Sequence, residues 1–277
     1  MNILITGTST GIGQTTTKAL LAAGHQVHGT ARKAQDHEQY QSQPNYTGHQ
    51  MDVTDRESIK AVVHAIKATG QPLEAVINNA GVAISGPLEQ LPESEYRKQL
   101  DINLFGPLAI AQETLPLLRE ARNAGKTNVK IINVSSVAGY LSSPFTGIYS
   151  ASKFGLEALT DALRRELMPT GIDVISIAPG PVKTPIWGKG REQTGNFIGG
   201  HYEDVLSYLG DYVKSANDGG LEPEVIANAI VKTIENPRPR PDQLIMKKRW
   251  MAKLIMRLPK RLQDRLIRKN LEQAKRY

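Results

Sequence analysis

Tyr149 and Lys153 stand four residues apart in Tyr149-Ser150-Ala151-Ser152-Lys153, a spacing that puts a phenol and an ammonium on one face of a helix. A tyrosine that ionises near pH ~10 is a poor base at neutrality, and a cation beside it favours the phenolate and draws it toward the operating range. Ser136 lies thirteen residues earlier, at the end of an apolar run in Asn133-Val134-Ser135-Ser136-Val137-Ala138-Gly139. Its hydroxyl can hold a carbonyl oxygen beside the phenol. The chemistry these three groups suit is proton transfer at an oxygen that alternates between carbonyl and alcohol.

Such a reaction needs a partner for the carbon. Thr6-Gly7-Thr8-Ser9-Thr10-Gly11-Ile12-Gly13 follows the first apolar run and opens a helical pattern. Glycine permits the sharp turn and the close approach of a pyrophosphate, while free N–H groups and the helix dipole favour its charge. NAD-preferring dinucleotide folds place an acidic residue at the end of the second strand, against the ribose hydroxyls. That position is Ala31, followed by Arg32 and Lys33, so a 2′-phosphate is favoured and the expected cofactor is NADP(H).

The elements that must position these groups alternate between short β-branched runs and longer stretches of helical period, the pattern of βαβ units on a parallel sheet. Strands are predicted at Asn2–Thr6, Gln26–Ala31, Tyr46–Met51, Ala75–Ile77, Val129–Val134, Ile172–Ala178 and Gln243–Met246. Helices are predicted at Ile12–Ala23, from near Asp55 with Thr54 as N-cap, at Lys98–Glu120, Tyr149–Met168 and Glu222–Glu235. Asn103 falls inside the third of these, where asparagine has low propensity and invites another explanation. The expected fold is α/β, a Rossmann-type doubly wound parallel sheet of about seven strands in a single domain. Residues 1–245 form the expected dinucleotide-binding catalytic domain, with a lid at about 181–220, and residues 246–277 a basic helical extension.

Composition narrows the alternatives. The 277 residues are 40% hydrophobic and 22% charged, values of a folded globular chain. With no cysteine, disulfides, thiolate zinc sites and cysteine nucleophiles are excluded. The histidines, His25, His28, His37, His49, His64 and His201, form neither an HExxH nor a close pair, so no metal is expected. The Met1-Asn2-Ile3-Leu4-Ile5 start lacks a secretory signal, and the chain reads as cytoplasmic. The formal charge of +7 sits at one end. Between Met246 and Tyr277, twelve Lys and Arg face Asp264 and Glu272, a net +10 that leaves the remainder at −3, so no specific nucleic-acid partner is expected.

TGTSTGIG, Asp52 after the third strand, Asn78-Asn79-Ala80-Gly81, Asn103, Ser136, Tyr149xxxLys153 and Pro179-Gly180-Pro181-Val182-Lys183-Thr184 occur in an order and spacing that resembles the short-chain dehydrogenase/reductase family over roughly residues 1–240. Ser135–Gly139, Phe105-Gly106-Pro107-Leu108 and PGPVKT look most like its 17β-hydroxysteroid-dehydrogenase-like branch. The resemblance implies that Tyr149 is general acid in reduction and base in oxidation and that Ser136 polarises the carbonyl. It implies that Lys153 lowers the phenol pKa and binds the nicotinamide ribose, and that Asn103 holds a water passing protons to Lys153. Cofactor contacts are implied at Gly7 to Gly13 (Thr8, Ser9, Thr10, Gly11 and Ile12 between them), at Asp52 and Val53, and at Asn79, Ala80 and Gly81. Further contacts are implied at Tyr149, Lys153, Pro179, Gly180, Val182 and Thr184, and a homodimer or homotetramer is expected.

No charged side chain occurs between Val137 and Ile148, so a mainly apolar pocket is expected from Ser136, Ala138, Leu141, Phe145 and Tyr149 with lid residues Ile186 and Trp187. The substrate then is a hydrophobic ketone or aldehyde, or the matching alcohol. In the extension, Trp250, Met251, Leu254, Ile255 and Leu258, then Leu262, Leu266, Ile267 and Leu271, form apolar stripes among Lys and Arg. These suit a cap on the pocket, a subunit interface or peripheral contact with an anionic membrane. The alternative function is a catalytically vestigial NADP(H)-binding protein that docks through this tail to a membrane or an acidic partner.

Overall fold

The computed structural model describes residues 1–186 and 218–274, with the side chains of 269–274 outside that description. Seven strands, β1 (Asn2–Thr6), β2 (Gln26–Ala31), β3 (Tyr46–Gln50), β4 (Ala75–Asn78), β5 (Lys130–Val134), β6 (Asp173–Pro179) and β7 (Asp242–Ile245), make one sheet in the order β3-β2-β1-β4-β5-β6-β7. Every neighbouring pair is parallel.

The strand sequences account for two covered faces. Successive side chains point to opposite sides, so a strand covered on both sides must be apolar throughout. Leu4, Val76, Ile131 and Val174 pack on one face with α2 (Arg56–Ala68) and α4 (Gly106–Asn123). Their neighbours Ile3, Ile5, Ile77, Ile132 and Ile175 pack on the other with Leu20 of α1 (Gly11–Ala22) and Ile226, Ile230 and Ile234 of α6 (Pro223–Glu235). Connections run outward in opposite directions from β1 and β4, which leaves a crevice between their carboxyl ends, the place where open α/β sheets bind ligands.

The expected doubly wound sheet is therefore present, with several local differences. The N-cap of α2 is Asp55, whose carboxylate accepts from the Glu57 amide at 3.0 Å; Thr54 instead donates its hydroxyl and its amide to Asp52. The helix predicted at Lys98–Glu120 is α3 (Glu93–Leu100), a π-helical turn over Asp101–Phe105, and α4. The helix carrying Tyr149, α5, covers Gly147–Leu167. After β7, α7 (Arg249–Arg257) and α8 (Lys260–Ala274) form the C-terminal extension.

Candidate active site

The glycine-rich turn is held from both sides. The Gly7 and Thr8 amides both donate to the Thr30 carbonyl at 3.0 Å, tying the turn to the end of β2. The Thr6 hydroxyl accepts from the Asn79 and Ala80 amides at 3.0 and 2.9 Å, and the Asn79 amide group donates to the Thr6 and Gly7 carbonyls. A Cβ on Gly13 would sit 2.0 Å from the Gly7 oxygen, and one on Gly7 would meet the Ala80 Cα at 2.9 Å with φ at +73°, so side chains at either position would break the packing. Asn79, Ala80 and the turn thus form one rigid unit.

Within it the expected contacts divide. Thr8 is fully buried and its hydroxyl faces Thr30 and Tyr46, so only the backbone around it borders the crevice. At the start of α1, the N-cap Thr10 makes no side-chain cap bond and the first turn has no acidic residue. The amides of Gly11, Ile12 and Gly13 have no intrahelical acceptor by position, and an anion is what they suit. Arg32 and Lys33 are exposed and make no ion pair among the described residues. An uncapped helix start, with two exposed cations just after β2 that form no ion pair among the described residues, fits a phosphorylated dinucleotide.

Other expected contacts are placed more firmly by protein than by an open site. Asp52 turns its carboxylate to Thr54, and Val53 is buried against Gly106. Val182 is buried and bridges to Leu221, with the Lys183 amide on the Leu221 carbonyl at 3.0 Å. Thr184 approaches Gly11, which puts the PGPVKT segment over the glycine turn. Gly180 closes against Met246, its amide bonded to the Ile245 carbonyl.

The reactive groups come together at the carboxyl ends of β5 and β6. Tyr149 is buried on the first turn of α5, with Ser136 close enough to bear on its phenol. Ser136 caps the short turn Val137–Gly139, accepting from the Ala138 amide at 3.1 Å. One helical turn beyond Tyr149, Lys153 is buried, its Nζ donates to the Val134 carbonyl at 3.0 Å, and it stands 5.9 Å from the Tyr149 ring centroid.

Burial pushes Tyr149 above its usual range against the influence of the Ser136 hydroxyl, and burial draws Lys153 down to about 8 against the attraction of Glu157. Low dielectric disfavours the charge on both groups.

Asn103 lies in the π-helical turn, which gives the explanation its low helix propensity asked for. Its Oδ1 accepts from the Val82 amide and its Nδ2 donates to the Val82 carbonyl, both at 2.9 Å, and to the Ser152 hydroxyl at 3.2 Å. Both amide hydrogens are thus engaged in tying the loop after β4 to α5, and a water at this residue falls to the remaining lone pair of Oδ1 or to the main chain. Gln99, absent from the sequence expectations, repeats the device one turn earlier: fully buried, it accepts from the Ile84 amide and donates to Val82. A glutamine on an otherwise polar helix gives no sequence signal. Glu157, also unforeseen, continues the face of Tyr149 and Lys153 and accepts from Tyr140 and Ser176 at 2.9 and 2.7 Å.

Leu141 and Phe145 are half-buried on the loop before α5, and Ile186 is half-buried after the PGPVKT segment; Trp187 lies outside the described residues. A cavity of about 420 Å³ opens beside this loop, lined by Leu88, Ser142 to Phe145, Gly147 and, from α8, Asp264, Ile267 and Arg268. The C-terminal extension therefore reaches the loop before α5.

Comparison with known proteins agrees with this geometry. The family model for short chain dehydrogenase matches residues 1–195. The NADPH-dependent 3-dehydrocapnine reductase of Ornithobacterium rhinotracheale is 35% identical over 97% of this chain and 96% of its own, and the 3-ketodihydrosphingosine reductase of Bacteroides thetaiotaomicron is 34% identical over 86% and 84%. A short-chain dehydrogenase from Streptomyces avermitilis superposes with a TM-score of 0.77 at 25% identity, covering 99% of this chain and 96% of that one. With the sheet order, the glycine turn and the buried serine, tyrosine and lysine in place, the chain belongs to the short-chain dehydrogenase family.

Proposed function

We propose that this enzyme is an NADPH-dependent reductase of hydrophobic ketones or aldehydes, with Tyr149 as the proton donor. The observation that carries the reading is the buried Tyr149 phenol, beside Ser136 and kept protonated by burial, with Lys153 one turn behind it. A protonated phenol suits the reductive direction, and the relative spanning almost the whole chain is named an NADPH-dependent reductase.

Bound NADPH would supply a hydride to the carbonyl carbon. The uncapped start of α1 would hold its pyrophosphate and Arg32, helped by Lys33, its 2′-phosphate. On the protein side, the Ser136 hydroxyl fixes the substrate oxygen and Tyr149 Oη gives it a proton, so that carbonyl plus hydride plus proton yields the alcohol. Lys153 has two N–H donors beyond the one on Val134, enough to hold a ribose hydroxyl and to replace the phenol's proton through a water near Asn103. Leu141, Phe145, Ala138 and Ile186 offer an apolar seat. A homo-oligomer belongs to this reading by family resemblance.

Oxidation of NADPH and of NADH by the full chain is the test, against steroids, retinal, 3-ketodihydrosphingosine and medium-chain ketones. NADPH-dependent turnover that falls about 10³-fold or more in Tyr149→Phe, with NADPH binding retained, is the expected result. Turnover unchanged in Tyr149→Phe would remove the proton-donor role; NADPH binding with no reduction of any carbonyl would favour the vestigial reading.

A further inference from the structure

The two helices after β7 leave several of their large apolar residues exposed to solvent. In α7 the buried residue is Ala252, while Trp250 is 71% and Leu254 56% exposed. Each lies two positions from Ala252, about 200° round the helix, so both point outward. In α8 the buried Gln263 donates to the Ile255 and Leu258 carbonyls, locking the end of α7 to α8, and Ile267 lines the cavity beside the loop before α5. Leu262 and Leu266 stand exposed on the other side.

Cations flank this outward surface. Arg249, Lys253, Arg257, Arg261 and Arg265 are exposed and form no ion pair among the described residues. Amphipathic helices of a soluble domain turn their apolar stripe to the core; here Trp250, Leu254, Leu262 and Leu266 share the solvent side with the cations. A second copy of the chain would bring a like-charged surface of net +10 to the same place, and a polyanion such as nucleic acid would leave Trp250, Leu254, Leu262 and Leu266 in water. An anionic bilayer satisfies both parts, since headgroups take the cations and the acyl boundary takes the apolar side chains. No helix among the described residues is long and apolar enough to cross a membrane, so the contact is with the surface.

We propose that α7 and α8 dock the enzyme on an anionic lipid bilayer, with Trp250, Leu254, Leu262 and Leu266 at the acyl–headgroup boundary and the five cations against the headgroups. Docking of this kind brings the cavity rim, where Leu88 is 64% exposed beside Ile267, close to the lipid surface. The proposal does not depend on the identity of the substrate, and its readout is binding rather than turnover.

The full chain is sedimented with vesicles of phosphatidylcholine containing roughly one-third phosphatidylglycerol and with pure phosphatidylcholine vesicles. Pelleting with the anionic vesicles, lost at high salt and reduced roughly tenfold in both Trp250→Ala/Leu254→Ala and Lys253→Gln/Arg257→Gln, is expected, with soluble-substrate turnover and Tm unchanged. In a Trp187→Phe chain, where Trp250 is the sole tryptophan, brominated lipid should quench the emission. Absence of pelleting, or pelleting unaffected by Trp250→Ala/Leu254→Ala, overturns the proposal. So does concentration-dependent self-association that those two substitutions abolish, which would assign the face to a second copy.

Discussion

Lys130 and Lys153 are the lysines buried among the described residues, and they sit at opposite ends of the same strand. Lys130 opens β5 and sends its Nζ to the Thr233 and Asn236 carbonyls, at 2.9 and 2.5 Å, where α6 ends. Lys153 lies against the carbonyl of Val134, the last residue of β5. Burial draws both ammonium groups down to about 8, each against one nearby carboxylate, Asp173 for Lys130 and Glu157 for Lys153. A lowered pKa in a buried lysine is therefore no mark of catalysis by itself. The neighbours differ: at the amino end a cation complements the negative end of a helix dipole, while at the carboxyl end it lies beside a phenol and a serine at the crevice.

The sharpest way to break this contrast is to make the same change at both ends. Lys153→Met should lower kcat/KM by about 10² to 10⁴, because the phenol loses the group that replaces its proton and orders its surroundings. Lys130→Met should leave kcat/KM within about twofold. Equal losses in the two variants, measured alongside unfolding curves, would mean that Lys153 is as structural as Lys130.

Arg32 tests the carboxyl end in a second way. As a cation with no ion pair among the described residues, it has no structural duty that its loss would disturb. Arg32→Ala should raise the KM for NADPH by about 10- to 100-fold, the worth of a charge-assisted hydrogen bond to phosphate, and leave the KM for NADH nearly unchanged. Parallel changes for both cofactors would take the 2′-phosphate away from this residue.

The carboxyl end was legible in the sequence because its signals are short-range. The glycine turn, the Tyr149–Lys153 spacing and the apolar runs are each readable within a few residues, and the sheet follows from the order of those runs. What sequence did not reveal depends on partners far along the chain. Lys130 reads as an oddity in an apolar strand until the carbonyls more than a hundred residues away are known. The π-helical turn at Asp101–Phe105 is accompanied by bonds from Asn103 and Gln99 to Val82 and Ile84, which no periodicity reports. Likewise His28 and His49, distant in sequence, meet at 3.0 Å because β2 and β3 are neighbours. Spacing likewise reveals the cation beside Tyr149 but not how completely the fold excludes water from both groups.

The smallest effect is confined to the amino end and concerns stability alone. Lys130→Met removes the donor from two helix-terminal carbonyls, a loss of about 1 to 3 kcal/mol partly offset because a buried charge disappears as well. The sign of its pH dependence follows from the folded value of about 8 against ~10.4 for an unfolded lysine. Between those two values the unfolded chain still holds a proton that the folded chain has released, so the free energy of unfolding rises with pH across that window. Above ~10 the phenols of Tyr40, Tyr140 and Tyr149, all raised by burial, act in the opposite sense, because the unfolded chain loses those protons first. Urea unfolding at pH 7 and at pH 9.5 should therefore show the wild type gaining on Lys130→Met as pH rises. Lys153 adds a similar contribution to both proteins, so a residual upward slope should remain in the variant. Parallel curves would mean that Lys130 keeps its proton throughout, as a cation fixed on the end of α6.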